Sequence, residues 1–185
     1  MHAMKNNEVN NRTQLDSKLT ADAWYVISGD FPFTGQMLRK WQDQLNWENV
    51  SGNISIIWTI DMLKEFAEKL NWKSLSSRVN FPSGFFLYSV SYIEALEDYW
   101  DWDELSSNRS IPFTDELIEK YADRWNWKKL LDNYKLEEER ILGKSFLERY
   151  KDHITPDAFS SSLLYYKLRK EREDKIIGML LDCIE

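Results

Sequence analysis

Apolar residues return along this chain with two periods. Counting from Thr34, Thr59, Ser89 or Thr114, they occupy the third, fourth, seventh and eleventh places: Met37, Leu38, Trp41 and Leu45; Met62, Leu63, Phe66 and Leu70; Tyr92, Ile93, Leu96 and Trp100; Leu117, Ile118, Tyr121 and Trp125. That spacing is one face of a helix, not the alternation of a strand. The longer period links the blocks. An aromatic precedes each Thr or Ser, and a Trp follows that aromatic by 14 residues: Phe33 to Trp47, Trp58 to Trp72, Tyr88 to Trp102, Phe113 to Trp127. A pattern recurring every ~20–50 residues is the signature of stacked repeats.

Each block reads as two helices. The Thr or Ser is placed to cap the first, and the twelfth position is always Asn46, Asn71, Asp101 or Asn126. Such a residue ends the first helix in a left-handed conformation or caps the second. The second helix spans about a turn and a half and carries the Trp inward. It follows the motif Trp-x-x-apolar-Ser-small-Asn/Asp: Trp24 to Asp30, Trp47 to Asn53, Trp72 to Arg78 and Trp102 to Asn108. Trp127 to Asn133 lacks the Ser, and a sixth, degenerate copy runs from Phe146 to Ser161. Ser and Asn here are read as turn chemistry that satisfies backbone donors before the next long helix.

One such unit cannot close a core, so its apolar face must be buried on the next. The expected fold is all-α: a solenoid of five to six ~25-residue repeats, each a long helix plus a short Trp-bearing helix, with Trp24, Trp47, Trp72, Trp102 and Trp127 as core constants. The domain reading is a flexible leader over 1–19, the solenoid over 20–162, with order beginning near Leu19-Thr20, and a capping or docking helix over 163–185. Five extra residues between Trp72 and Tyr88 give an insertion at 79–87 that holds Phe81, Phe85 and Phe86. It is either a binding loop or a plug that fills a bend in the stack.

Residues 24 to about 161 resemble short tandem Trp-x-x-Leu-Ser-x-Asn repeats of uncharacterised bacterial and giant-virus proteins. The Trp, the Leu-Ser and the Asn carry the likeness; Arg78 and Leu131 depart from it, and the sixth copy has lost its Trp. The resemblance implies an architecture and no activity.

Composition narrows the function classes. The net charge is −7 and the pI near 5.0, which disfavours attraction to phosphates or anionic lipid and points to a basic protein partner. Cys183 is the single cysteine, so no intrachain disulfide or cysteine-based zinc site can form, and a cytoplasmic, membrane-free setting is expected. The chemistry inventory is thin: His2 and His153 are the two histidines, and no phosphate-binding or metalloprotease motif occurs. We therefore expect no enzyme, no cofactor and no metal.

The sharper signal is an acid at the ninth position of successive repeats: Asp43, Glu68, Asp98, Asp123 and, in the degenerate copy, Asp152. Stacking would set them in a row, densest mid-solenoid where Glu94, Glu97, Asp98, Asp101, Asp103 and Glu104 fall with no intervening base. Asp43, Glu68, Glu94, Asp98, Asp101, Asp123 and Asp152, with Phe81, Phe85 and Phe86, are thus the candidate partner-binding residues. The bland reading is a solvated face. The functional one is a protein-interaction module, in a narrower form an acidic inhibitor filling the nucleic-acid-binding groove of its target. The runner-up is a nucleic-acid-binding α-solenoid, and the remotest alternative a hydrolase with an acidic pair. The apolar end of the C-terminal helix offers a homodimer contact.

Overall fold

Thr34, Thr59 and Thr114 each open a helix as the spacing predicts, their hydroxyls accepting the N–H groups of Met37, Met62 and Leu117 at 3.3, 3.2 and 3.2 Å. The chain is seen as a computed structural model that describes residues 2–78 and 89–182, with side chains from Thr13 onward. It is a helical repeat. Its elements are α1 (His2–Asp30), α2 (Gly35–Trp41), α3 (Trp47–Gly52), α4 (Ile60–Glu65), α5 (Trp72–Ser77), α6 (Val90–Ala95), α7 (Trp102–Ser107), α8 (Asp115–Lys120), α9 (Trp127–Leu131), α10 (Tyr134–Glu138), α11 (Lys144–Tyr150), α12 (Pro156–Ser160) and α13 (Leu163–Leu181). The Trp-bearing helices pile one on the next, α1 on α3, then α5, α7 and α9, and α12 continues the pile beyond α9.

The first helix of each repeat is shorter than its apolar face suggests. α2, α4, α6 and α8 stop at or just before the seventh position, and the chain then closes a tight turn. In that turn the N–H groups of the tenth and eleventh residues share the carbonyl of the seventh: Gln44 and Leu45 on Trp41, Lys69 and Leu70 on Phe66, Tyr99 and Trp100 on Leu96, Arg124 and Trp125 on Tyr121. The eleventh side chain still reaches the core, so the helical spacing survives where the helix does not: Leu45, Leu70, Trp100 and Trp125 are all buried. Of the two roles open to the twelfth residue, capping the second helix is the one adopted. Asn46, Asn71, Asp101 and Asn126 accept from the N–H three residues on at 2.9–3.1 Å, with φ between −81° and −76°.

Two expected boundaries move. No helix begins at Thr20. It lies inside α1, its hydroxyl donating to the Asp16 carbonyl at 2.9 Å, and α1 takes in residues 2–19 of the segment read as a leader. No Gly or Pro interrupts residues 2–28, so nothing local stops the helix from running back past Leu19. The second change is α10, a helix the repeat pattern does not contain, followed by Arg140 with φ 59°. α13 fits the expected C-terminal helix but covers the last repeat only with its first turns: Leu164 is buried, Leu163 and Leu168 pack on the core, and residues 169–182 are exposed. The insertion at 79–87, with Phe81, Phe85 and Phe86, lies outside the described residues.

The core sits along the stack. The apolar residue three after each Trp is fully enclosed, Val50, Leu75, Leu105 and Leu130 all being 0% exposed. The Trp themselves are less buried than expected. Trp127 is buried, while Trp24, Trp47, Trp72 and Trp102 are half-buried against the core edge. Each of the four later indoles donates its Nε1–H to the carbonyl five residues back, Gln42, Ala67, Glu97 or Ala122, at 2.9–3.0 Å. Those carbonyls belong to the eighth position, where the truncated first helix would leave them without a partner.

Candidate interaction surface

The motif Asn close local turns, as expected, Asn53, Asn108 and Asn133 accepting the N–H groups of Ser55, Ser110 and Lys135 at 2.7, 2.8 and 3.0 Å, but the Ser and Asn also join neighbouring repeats. Ser28, Ser51 and Ser106 donate to the carbonyl of their own Trp at 2.6–2.7 Å. Their oxygens, with that of Ser76, then accept the backbone N–H of the next repeat's capping residue, Asn46, Asn71, Asp101 or Asn126, at 2.8–3.0 Å. The motif Asn reaches the opposite way. Asn53 donates to the carbonyls of Ser28 and Phe31, Asn108 to those of Ser76 and Arg78, and Asn133 to those of Ser106 and Asn108. Arg78, the departure from the motif, donates to the carbonyls of Ser51 and Asn53, so a longer donor fills the same role.

The ninth-position acids share an exposed register. Asp43, Glu68, Asp98, Asp123 and Asp152 are all exposed, the side chains of Asp98 and Asp123 at 81% and 97%. The mid-solenoid acids beside them are not left to a partner. Glu94 pairs with Lys120 at 2.7 Å, Asp98 with Arg124 at 3.3 Å and Asp103 with Lys129 at 2.5 Å, each base standing 26 residues after its acid. Asp101 is the α7 cap. The acidic run therefore serves largely to hold the following repeat. Lys129, with Asn126, holds the Asp103 carboxyl below the usual carboxylate range, and Asp103 in turn raises Lys129. Among the described residues, Asp43, Glu68 and Asp152 form no ion pair, and His153 lies 3.8 Å from Asp123.

A second recurrent geometry escapes the sequence pattern. The motif Trp of one repeat is clasped by two residues of the next, its seventh and its tenth. Trp47 meets Phe66 at 5.1 Å and Lys69 at 5.6 Å, and Trp102 meets Tyr121 at 4.6 Å and Arg124 at 5.5 Å. Trp127 meets Tyr150 at 5.2 Å and, stacked, His153 at 5.2 Å. Trp72 has Leu96 at the seventh place and stacks instead on Tyr99, the tenth, at 5.0 Å. At these four Trp the tenth residue thus supplies a cation or a ring. The signal was present in the sequence as Lys69, Tyr99, Arg124 and His153, but only the fold shows which Trp they face.

At the first repeat the clasp is incomplete. Trp41, in the seventh place, meets Trp24 at 5.4 Å, but the tenth residue is Gln44. Beside Trp24 an open groove of about 850 Å³ separates α1 from the 43–46 turn, lined among others by Asp16, Thr20, Asp22, Asp43 and Gln44 and, among the described residues, by no Lys or Arg.

The chain matches no family model, no curated protein and no solved structure among known proteins. Among the described residues, no cluster of His, Cys, Asp and Glu is disposed to hold a metal ion, and no helix is long and apolar enough to cross a membrane.

Proposed function

We propose that this chain is a non-enzymatic interaction module whose ninth-position acids engage a basic surface on another protein, as an inhibitor of a nucleic-acid-binding groove would. One observation carries the reading. Five acids occupy the same exposed position of successive repeats, and three of them, Asp43, Glu68 and Asp152, form no ion pair among the described residues. A row of carboxylates on a rigid stack steers a basic partner and sets its register. Asp98 is given a lesser part than its register suggests, because Arg124 already answers it. The likeness to short Trp repeats belongs to the same proposal and supplies its repeat frame.

The test is reversal of Glu68, Asp123 and Asp152 to Lys, which leaves the inter-repeat pairs of Glu94, Asp98 and Asp103 untouched. Calorimetry against a Lys/Arg-rich helical peptide should show binding that weakens with salt and is lost in the triple variant, while helicity and melting barely change. Binding that survives the reversal overturns the row as an interface. A gel shift with single-stranded RNA and duplex DNA examines the nucleic-acid alternative, and retention of either by the wild type would favour it.

A further inference from the structure

We infer that the groove beside Trp24 is a receptor for a cationic side chain of a basic peptide, arginine above all. This rests on the interaction-module reading and gives it a place and a chemistry. The argument comes from the chain's own repeats. At Trp47, Trp102 and Trp127 the tenth residue of the following repeat lays Lys69, Arg124 or His153 against the indole, and at Trp72 it lays a Tyr ring there. Arg124 meets both the Trp102 face and the Asp98 carboxylate, at 5.5 and 3.3 Å, which is the recognition a guanidinium favours: a π-face with an anion at its edge.

Trp24 has the aromatic half of this arrangement in Trp41 and lacks the cation, since Gln44 stands in its slot. Lys40 does not supply it, for its ammonium lies 5.0 Å over the Trp41 ring. Carboxylates are nevertheless present. Asp16 reaches the groove from α1 and Asp43 from the opposite wall. Asp22, a third lining acid, is answered by Lys18 at 3.4 Å, which leaves an aromatic ring, the two acids Asp16 and Asp43, open space and no Lys or Arg among the described lining residues: a site in which a visiting Arg or Lys would reproduce what the later repeats do for themselves. Arginine is preferred to lysine because its planar head stacks on the ring and forks onto a carboxylate at once.

The experiment follows the indole N–H resonances by NMR, with Trp24 assigned through Trp24→Phe, during titration with acetyl-Gly-Arg-Arg-Gly-amide. The control peptide carries citrulline for arginine, which keeps the shape and removes the charge. The expected result is a saturable shift at Trp24 and at the Gln44 side-chain amide, about tenfold weaker or more with citrulline. Gln44→Arg supplies the missing cation internally and should abolish the response at Trp24 while the Trp102 resonance is unmoved. Equal binding of the citrulline peptide, or undiminished binding to Gln44→Arg, overturns the proposal. Shifts confined to residues around Glu68 and Asp123, with Trp24 silent, overturn the groove and leave the acidic row standing. A Trp24 response unaffected by reversing Glu68, Asp123 and Asp152 upholds the groove and removes the row. Silence at every resonance overturns both.

Discussion

Trp58 and Trp72 are the opening aromatic and the motif Trp of one repeat, 14 residues apart, and the contrast between them shows how this fold uses tryptophan. Trp72 gives its indole N–H to the Ala67 carbonyl, whereas the N–H of Trp58, 0% exposed, finds no acceptor among the described residues. Phe33 and Phe113 fill the place of Trp58 in other repeats without any N–H to satisfy. An unmet buried donor costs ~1–3 kcal/mol, which offsets much of what the larger ring contributes by burial. Trp58→Phe should therefore change the urea-unfolding free energy by no more than about 1 kcal/mol. Trp72→Phe loses a made bond and exposes the Ala67 carbonyl, so it should cost ~1–2 kcal/mol more than Trp58→Phe. Reversal of that order would refute the assignment. Trp72→Ala, which also removes the stacking on Tyr99, should cost ~3–5 kcal/mol.

At the scale of the element, the sequence showed the periodicities and concealed the connections. The face made by Leu117, Ile118, Tyr121 and Trp125 is legible because burial demands apolar residues at helical intervals, and all four are buried. The break in each first helix is not legible, because its cause is a donor elsewhere: an indole takes up the eighth carbonyl, and the tight turn then places the eleventh residue in the core anyway. Ser51 and Ser106 read locally as turn residues, yet each hydroxyl bridges its own Trp carbonyl to the next repeat's first N–H. Ser106→Ala would strand the Asn126 N–H at the α7–α9 junction. We expect a loss of ~1–3 kcal/mol, and faster amide exchange at Asn126 than at the untouched Asn71. Unchanged exchange at Asn126 would mean that the bridge contributes nothing. α10 and the unbroken α1 escaped the sequence reading for the converse reason. The repeat register has no slot for α10, and in α1 the weak local propensity of paired Asn residues was overridden where no Gly or Pro opposed the helix.

Over the whole molecule, the interfaces that hold this stack are polar at their rim and ionic at their surface, which ties stability to pH. Glu94, Asp98 and Asp103 each bind a base of the following repeat, and all three pairs lie at the one junction between the repeats of Trp102 and Trp127, so losing them loosens the middle of the stack. The direction follows from Asp103, whose carboxyl the Lys129 ammonium and the Asn126 amide hold below its ordinary value. A carboxyl depressed in the folded state binds its proton more readily in the unfolded chain. Its contribution is complete above the ordinary carboxylate range near 4 and is lost as the pH falls through the lower folded value. Glu116 shifts the same way, through the N–H groups at the start of α8 and the Thr114 hydroxyl. Melting temperature should accordingly be level from neutral pH down to about 5 and fall below about 4. In Asp103→Asn that acid limb should flatten while neutral-pH stability drops slightly, since exposed pairs contribute little each. Salt separates this account from simple charge repulsion. The net charge is −7 at neutral pH, so if repulsion among acids governed stability, acid would relieve it and stabilise the fold, and salt would do the same at pH 7. If the inter-repeat pairs govern, both acid and moderate salt lower the melting temperature, and the salt effect shrinks in Asp103→Asn. A rise in melting temperature on acidification to pH 4 would show that the acids of this stack repel one another more than they bind the next repeat.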